Sequence, residues 1–485
     1  MHPFIQLGAI AFAVAAISGC GGSSGTSPAS SSTGGSSTTS TATVNMVIQD
    51  SPSTNLTVLS FQIDITSATL QPGNVPLLPK PVTVDLAQLV TDTGLLASAV
   101  VDSGTYTSMT MTVENPRVTI INNTGTAIVT PSQTCAAGAT CTFTPRLNTA
   151  SLTISNGVFP ITLTASSSTG LALDLSIPDL LQSDLSITLA DGSSVNLSLL
   201  PQPKTGGAQA QLDDVLGVIQ SVSTGQLQIR TAFGALLVLT TDGTTAYNFP
   251  ESTCAHNDAS CLSPNQIVTT NLSLLPNGGL KANTLTFAAN PGATVAQGIV
   301  VSVGSAPAAD FQMLVLKVLP NSASFTPGEV VDVTAQAGAL FSVASDTHPV
   351  IAGASFAQPS DVLPGQEVLV EVTQPAVTAS DGNPAFTSAS VALESSQIAG
   401  RVSSVDAGTA SFGLTNVWSL FNGLSPAIAQ LNIQTGGSTS FVGYATADFS
   451  SLSVGSVARA KGPLFRATDN SGVPTIAALQ VSGRQ

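Results

Sequence analysis

The residues that could carry out acid–base or metal chemistry are few in this chain, and they are scattered. Asp213 and Asp214 are adjacent carboxylates, and paired carboxylates serve glycosidases as acid, base or nucleophile. The pair stands at the beginning of a strand-like segment, where a solvated position is the expected role. His256 and His348 lie in loop-like stretches without a visible partner, so both are expected to be solvated loop residues. No catalytic residue is predicted.

Three further patterns suggest chemistry but lack the context that the chemistry needs. Gly21-Gly22-Ser23-Ser24-Gly25 matches the G-x-S-x-G of serine hydrolases without the flanking strand and helix of that motif. Asp469-Asn470-Ser471-Gly472 could offer oxygens to calcium, but it lacks the spaced ligand set, so an exposed turn is expected. Trp418 could stack on a sugar ring, although its apolar neighbours favour core packing. No cofactor and no metal site is therefore predicted.

Cysteine chemistry gives a stronger signal. Beyond Cys20 there are four cysteines in two local pairs, Cys135 with Cys141 and Cys254 with Cys261. An even number in an exported protein indicates disulfides, and the two local loops are favoured among three possible connectivities. Zinc is the alternative, but the spacing is unsuitable and only His256 lies nearby.

The stretch around Cys20 points to export. The apolar run Phe4 to Ile17 is too short to span a bilayer, which takes about 20 residues, and suits a signal peptide. Ser18 and Gly19 precede the cysteine, in an order that resembles a bacterial lipoprotein signal. That resemblance implies removal of residues 1–19, lipidation of Cys20 and a permanent membrane anchor. A secretory signal with a coincidental cysteine is the alternative.

Composition bounds the rest of the chain. Residues 20–42 are nearly all Gly, Ser, Thr, Ala and Pro, which predicts a flexible tether. Charged residues make up only 8%, and the net charge is −15, which argues against nucleic acid as a partner. The abundance of Ser, Thr, Gly and Val favours short β-strands.

Alternating apolar residues predict successive strands between residues 43 and 200. Phe61, Ile63 and Ile65 alternate with polar residues, and Met109 and Met111 do the same in the clearest strand of the chain. Because no long helical pattern interrupts these strands, we predict an all-β fold whose N-terminal domain is an antiparallel β-sandwich.

Four features of this segment occur in the order of a known family. They are Asp50-Ser51-Pro52, the strand from Phe61 to Leu70, Val84-Asp85-Leu86 and Gly104-Thr105-Tyr106. In this order they resemble the bacterial lipoprotein family called domain of unknown function 4382. The resemblance implies architecture and an envelope location, and it implies no catalytic residues.

The remainder of the chain repeats itself after a Pro- and Gly-rich joint at 201–207. Three strand starts share a glycine and following valine or isoleucine residues, beginning at Gly217, Gly298 and Gly400, and in each unit a Gly or Asn turn follows later. The starts are too far apart for a solenoid, so tandem domains are predicted at 211–290, 296–395 and 398–485.

These units resemble the small β-barrel repeats called domain of unknown function 5666. A closed barrel of this size resembles oligonucleotide- and oligosaccharide-binding folds in strand layout, although a fold by itself specifies no ligand. The second unit carries an extra turn, Pro327-Gly328-Glu329-Val330, that resembles its own turn at Pro364.

We therefore expect a non-enzymatic envelope lipoprotein, lipid-anchored at the outer membrane or cell surface, that acts as a surface-binding or structural module. Gly21 after Cys20 resembles lipoproteins sorted to the outer membrane. The expected partners are the membrane and an extracellular glycan or protein. A carbohydrate- or surface-polymer-binding lipoprotein is the first alternative, and an exported hydrolase is the second.

Overall fold

The computed structural model describes most of the chain beyond residue 39. The described residues are 40–51, 57–89, 93–122, 124–130, 133–182, 184–200, 208–250, 254, 256–304, 310–320, 324–344, 348–374, 376–380, 382–417, 421, 428–442, 444, 446, 448–467 and 472–483. Five features from the sequence lie outside them: Cys20 with its signal, the Gly21–Gly25 motif, the joint at 201–207, Trp418 and residues 469–471.

The fold is all-β, and the described residues of its first part form fourteen strands, one short α-helix and one 3₁₀ helix. The strands are β1 (Thr41–Ser51), β2 (Thr57–Gln71), β3 (Val75–Pro76), β4 (Val82–Asp85), β5 (Gly94–Asp102), β6 (Gly104–Tyr106), β7 (Ser108–Ile121), β8 (Ile128–Val129), β9 (Thr134–Cys135), β10 (Thr140–Phe143), β11 (Ser151–Ile154), β12 (Ile161–Leu163), β13 (Ser168–Ser176) and β14 (Val195–Leu199). The α-helix α1 covers Ile177–Leu180, and the 3₁₀ helix covers Leu86–Leu89.

Two main sheets form this part and share one core. The first has the order β14-β13-β1-β5; the second has the order β10-β7-β2-β3, with β11 on β7 and β4 on β2. Ile48 and Leu173 from the first sheet join Phe61 and Met111 from the second in one buried cluster. The side chains in the first half of β7 alternate as predicted: Met109, Met111 and Val113 are buried, while the residues between them are partly exposed.

The prediction of a purely antiparallel sandwich is wrong for one central pair. Strands β1 and β13 run parallel, in register from Thr43 opposite Ser168 to Ser51 opposite Ser176. Hydrophobic alternation shows which face of a strand is buried but not its direction, and β1 and β13 are joined by the rest of the domain instead of a hairpin.

Three further sheets follow along the chain. The first contains β15 (Ala210–Ser223), β16 (Gln226–Thr231), β17 (Leu236–Thr240), β18 (Ala246–Asn248), β19 (Ile267–Leu274) and β20 (Leu280–Ala289). The second contains β21 (Thr294–Val303), β22 (Phe311–Leu319), β23 (Val330–Val343), β24 (Glu367–Val372), β25 (Val377–Thr378) and β26 (Pro384–Leu393). The third contains β27 (Ser396–Asp406), β28 (Ser411–Thr415), β29 (Gln430–Gln434), β30 (Ser440–Val442), β31 (Val457–Gly462), β32 (Leu464–Phe465), β33 (Thr475–Ala477) and β34 (Gln480–Gly483).

Each of these sheets closes into a small barrel, which we call barrel 1, barrel 2 and barrel 3 in chain order. In barrel 1 the order β17-β16-β15-β19-β20 closes through a parallel pairing of β17 with β20. In barrel 2 the order β23-β22-β21-β24-β26 closes through the parallel pair β23 and β26. In barrel 3, β29 pairs with β33 and β31 pairs with β34, so two consecutive strands complete the ring. The layout is that of a five-stranded Greek-key barrel.

The Gly or Asn turn that recurs in the three sequence units makes the same two hydrogen bonds in every barrel. The backbone N–H groups of Asn265, Gly365 and Gly455, all at positive φ, donate to the carbonyls of Ile219, Val300 and Val402, each over 2.8 Å. Each of these strand residues donates its own N–H back to the residue after the turn, over 2.8 to 2.9 Å. A 3₁₀ helix precedes the turn in each unit, at Ala259–Cys261, Pro359–Asp361 and Phe449–Ser451.

The extra turn of barrel 2 makes an equivalent pair of bonds to a different strand. Gly328, also at positive φ, donates to the carbonyl of Val315 over 2.7 Å, and Val315 donates to Glu329 over 2.9 Å. The same local device therefore occurs twice in the longest unit.

The three strand-start glycines of the sequence repeat in fact lie inside their strands, Gly217 in β15, Gly298 in β21 and Gly400 in β27, and their recurrence within the repeat has a steric reason. A Cβ atom on Gly298 would lie 2.2 Å from the carbonyl oxygen of Leu314, and one on Gly400 would lie 2.8 Å from that of Thr415. At Gly217 the nearest atom would be 3.1 Å away, on the side chain of Ile229. The second strand of each barrel (β16, β22 or β28) thus passes close to the first (β15, β21 or β27) at this position, and the approach is closest in barrel 2.

The sandwich and the barrels pack against one another through buried apolar side chains. Leu59 and Ile121 of the sandwich meet Leu314 and Leu316 of barrel 2. Val47 and Ala172 of the sandwich pack against the core of barrel 1. Barrel 1 meets barrel 2 through Leu216 and Ile267, which contact the cluster of Val295, Leu319 and Leu369. Phe465 and Ala477 of barrel 3 join the core of barrel 2. The connections between barrels are short, residues 290–293 and 394–395, so residues 40–485 form one compact unit.

Within the described part of the chain, no helix has the length and apolar character needed to cross a membrane.

Candidate functional site: a cleft between the three barrels

A β-bulge places two carboxylates on the wall of barrel 1. The pairing of β15 with β19 shifts register between Leu212 and Val215, and Asp213 and Asp214 occupy the shift. Asp214 adopts a φ of 52°, and its N–H donates to Oδ1 of Asn271 over 2.9 Å. The irregular backbone turns both side chains away from the ordinary alternation of the strand.

A lysine from barrel 3 pairs with these carboxylates. Nζ of Lys461 lies 2.8 Å from Oδ2 of Asp214 and 4.0 Å from Oδ2 of Asp213, and the lysine side chain is only 5% exposed. Lys317 of barrel 2 donates from Nζ to the backbone carbonyl of Asp214 over 3.4 Å. All three barrels therefore contribute a charged group at this place.

A fourth group, Glu394, comes from the two-residue connection between barrels 2 and 3. It is 7% exposed, and its backbone N–H donates to the carbonyl of Glu367 over 2.8 Å. Glu367 is itself buried, and its Oε1 accepts a hydrogen bond of 2.7 Å from Nε2 of Gln297. The carboxyl group of Glu394 receives no hydrogen bond from the part of the chain that the structure describes.

Burial and neighbouring charge separate the pKa values of these acids. Burial, followed by the charges of Asp214 and Glu367, raises the pKa of Glu394 to about 8, against the opposing pull of Lys317 and Lys461. Burial also raises the pKa of Asp213. Burial acts to raise the pKa of Asp214 as well, but the charge and hydrogen bond of Lys461 outweigh it and hold that pKa below its ordinary value. Glu394 is thus a neutral acid at pH 7 beside an ionised pair.

These groups border a cleft of about 780 Å³ to which all three barrels contribute. Phe249 and Phe287 of barrel 1 lie on one wall, with ring centroids 5.8 Å apart, and Leu340 of barrel 2 also lines the space. The polar lining is mostly hydroxyl and amide, from Asn248, Asn257, Thr269, Asn271, Thr284, Thr286, Ser342, Ser390, Ser438, Ser440 and Gln480. The lining is therefore more polar than that of a typical small-molecule pocket, which is mainly hydrophobic.

The loop that the second disulfide closes contributes one residue to the lining of this cleft. Cys254 is joined to Cys261 with a Cα–Cα distance of 5.5 Å, and the enclosed Asn257 lines the cleft while its Oδ1 accepts the N–H of Phe249 over 2.7 Å. Cys135 and Cys141 form the other disulfide, in the sandwich, with a Cα–Cα distance of 5.9 Å. Both predicted disulfides are confirmed.

Two expectations about single residues are wrong. Asp213 and Asp214 were expected to be solvated and no more, but their side chains, 30% and 27% exposed, lie against the buried ammonium group of Lys461. His348 was expected to be a solvated loop residue, but it is partly buried, and its ring lies 5.6 Å from that of Phe465 in barrel 3. In both cases the partner is supplied by another barrel. His256 is exposed.

The conspicuous acid and tyrosine of the sandwich have structural roles. Asp85 is buried, and its carboxylate accepts hydrogen bonds from Oγ of Ser60 (2.6 Å) and from the N–H groups of Phe61 (2.8 Å) and Ala87 (3.2 Å). The hydroxyl of Tyr106 donates to the carbonyl of Asp102 over 2.8 Å. Asp85 thus stabilises the end of β4 against β2, and Tyr106 stabilises the turn between β5 and β6.

Among the described residues, no group of three or more His, Cys, Asp or Glu side chains is arranged to hold a metal ion. The sequence did not single out Glu394, Lys461 or Lys317, although a charged residue inside an apolar strand pattern, as at Lys461, is a usable signal in a chain with 8% charged residues.

Comparison with known proteins gives a family match in the first part of the chain. No curated protein matches the sequence. Residues 41–198 match the family described as "Domain of unknown function (DUF4382)", which covers the β-sandwich and ends before barrel 1.

Proposed function

We propose that this protein is a non-enzymatic lipoprotein of the cell envelope that binds an extracellular ligand, a glycan or a protein segment, in the cleft between its three barrels. The observation that carries the proposal is the convergence of all three barrels on one cleft with apolar walls and many hydroxyl and amide groups. Such a lining suits a ligand with many hydroxyl groups, since each polar group can be matched by a hydrogen bond.

The barrels support this proposal by their architecture. We propose that they belong with the repeats called domain of unknown function 5666, as the strand-start glycines and the recurring turn suggest. Five-stranded Greek-key barrels often bind oligosaccharides or oligonucleotides, and the net charge of −15 disfavours the latter. This is an argument by analogy of fold.

The export signal supports the location. Cys20, after its short apolar run, is proposed as the lipidated residue, with the protein held at the outer membrane or cell surface by the lipid. The two disulfides are compatible with an oxidising compartment outside the cytoplasm.

A glycan array probed with the purified lipoprotein in detergent tests the proposal. We expect binding to a subset of glycans, and loss of that binding in Thr286→Trp, which would fill the cleft from β20. Val238→Trp is the matched control, because Val238 is 47% exposed on β17 and is not among the residues that line the cleft.

Three results would change the conclusion. Binding that survives Thr286→Trp would move the site elsewhere. No binding to glycans or to proteins cross-linked on whole cells would favour a structural spacer. Turnover in a screen of esters and glycosides would establish a hydrolase and defeat the non-enzymatic proposal.

A further inference from the structure

The cleft contains one acid that the protein itself does not use. Glu394 is more than nine-tenths buried, lines the cleft, and its carboxyl group has neither a hydrogen bond nor an ion pair with any described residue. Asp213 and Asp214, in contrast, form ion pairs with Lys461. The carboxyl group of Glu394 is therefore available to pair with a group on a ligand.

The charge around Glu394 favours a cation at this point. The carboxylates that line the cleft are those of Asp213, Asp214, Glu371 and Glu394, and Lys461 is the ammonium group that lines it. The charged groups that act on Glu394 are Asp214 and Glu367, which resist its ionisation, and Lys317 and Lys461, which favour it. An added cation would favour the ionisation of Glu394 against the repulsion from Asp214 and Glu367, whereas an added anion would increase that repulsion.

The walls suit a sugar ring that carries such a cation. The face of an aromatic ring attracts ammonium groups and stacks on sugar rings, and the partly buried Phe287 lines the same cleft as Glu394, whereas Phe249 is buried in the core of barrel 1. The volume of about 780 Å³ lies within the usual range for small-ligand pockets, which is roughly 300 to 1,000 Å³.

We propose that the cleft recognises an amine-bearing sugar polymer and that the carboxylate of Glu394 pairs with a ligand ammonium group. This inference rests on the proposed function and names its ligand class. Glu394 is protonated before binding, so a bound ammonium group displaces its proton to the solvent, and one proton is released for each ammonium group paired with Glu394.

Isothermal titration calorimetry on the full-length lipoprotein in detergent tests the inference, with a glucosamine tetramer and an N-acetylglucosamine tetramer as probes. The two probes differ only in acetylation of the amine. We expect the free-amine tetramer to bind about tenfold tighter or more near pH 6.5, with a heat that varies with the ionisation enthalpy of the buffer because a proton is released.

Glu394→Gln should lower the affinity for the free-amine tetramer about tenfold and remove the buffer dependence, while leaving the acetylated tetramer nearly unaffected. Glu114→Gln is the matched control, since Glu114 is exposed on β7 of the sandwich. Should Glu394→Gln fail to fold, the proton release of the wild-type protein remains decisive.

Equal affinity for the two tetramers, or tighter binding without proton release, would overturn the inference. If neither tetramer binds while another glycan binds in a manner abolished by Thr286→Trp, the amine inference fails and the proposed function stands. If nothing binds in the cleft, both fail.

Discussion

Nζ of Lys461 in barrel 3 lies 2.8 Å from Oδ2 of Asp214 in barrel 1, and this ion pair joins the first and last barrels across the cleft. The lysine side chain is almost fully buried, and the neighbouring Asp213 lies at 4.0 Å. Ion pairs taken out of water are expensive to break, because the remaining charge is left without a partner.

Lys461→Met should lower the free energy of unfolding by roughly 1 to 3 kcal/mol, because the lysine is buried whereas the side chains of Asp213 and Asp214 are 30% and 27% exposed and can be hydrated when it is removed. Urea denaturation followed by tryptophan fluorescence or circular dichroism measures it. Lys281→Met is the control: Lys281 pairs with Asp242 over the same 2.8 Å, but in the solvent, so its loss should change stability little. Equal effects of the two substitutions would show that the barrel 3 pair is solvated in solution.

The elevated pKa of Glu394 predicts a fall in stability with rising pH. Burial and the charges of Asp214 and Glu367 raise the pKa from 4.5 to about 8, so between these values the folded protein holds a proton that the unfolded chain has lost. The stabilisation is complete below about pH 4.5 and is lost as the pH rises through about 8.

Glu394→Gln removes this titration. We expect the denaturation midpoint of the wild-type protein to fall between pH 5 and about 9, and that of the variant to fall less over the same interval. Because Gln stays neutral, the variant should be the more stable of the two proteins at pH 9. Parallel pH profiles for the two proteins would mean that Glu394 titrates normally.

The strand-start glycines predict an unequal response to one substitution. Gly298→Ala should destabilise barrel 2 by about 2 to 3 kcal/mol, because its Cβ would lie 2.2 Å from a backbone oxygen that cannot move independently. Gly217→Ala, in the same motif position of barrel 1, meets its nearest atom at 3.1 Å on a side chain and should cost about 1 kcal/mol or less.

Thermal denaturation of both variants measures this difference. A larger loss for Gly217→Ala than for Gly298→Ala would contradict the steric explanation of the repeated glycine.

Cys20→Ala should release the protein from the membrane. The substitution removes the atom to which the lipid is proposed to be attached, and a short apolar signal is not a membrane span. Fractionation of cells followed by immunoblotting measures the distribution, and a Cys135→Ser, Cys141→Ser double variant should remain with the membranes. A Cys20→Ala protein that still sediments with the membranes would refute the anchor.

Local sequence patterns were enough to predict the all-β class, many of the strands, the repeated turns and the disulfides, although β5, β10 and β11 were missed. The alternation around Met109 fixes which face is buried, and cysteines separated by one turn are already close before folding. The parallel pairing of β1 with β13 could not be predicted, because residues far apart in the sequence leave no local signal of direction.

The cleft could not be predicted for a related reason. Asp214, Lys461 and Glu394 come from barrel 1, barrel 3 and the connection before barrel 3, and nothing in any one of these segments indicates that the three residues meet. Only the packing of the barrels brings them together, and that packing depends on apolar outer faces such as those of Leu314 and Leu316.

The short connections at 290–293 and 394–395 have a kinetic consequence. Because neighbouring barrels also share buried apolar residues, we expect the mouth of the cleft to keep its width, so that the proposed ligand would enter and leave without domain opening. A polymer held this way can exchange one segment for the next by sliding, so that many weak, short-lived engagements along one strand replace a single long one. Retention at the cell surface would then depend on the length of the polymer more than on the affinity for any one sugar unit.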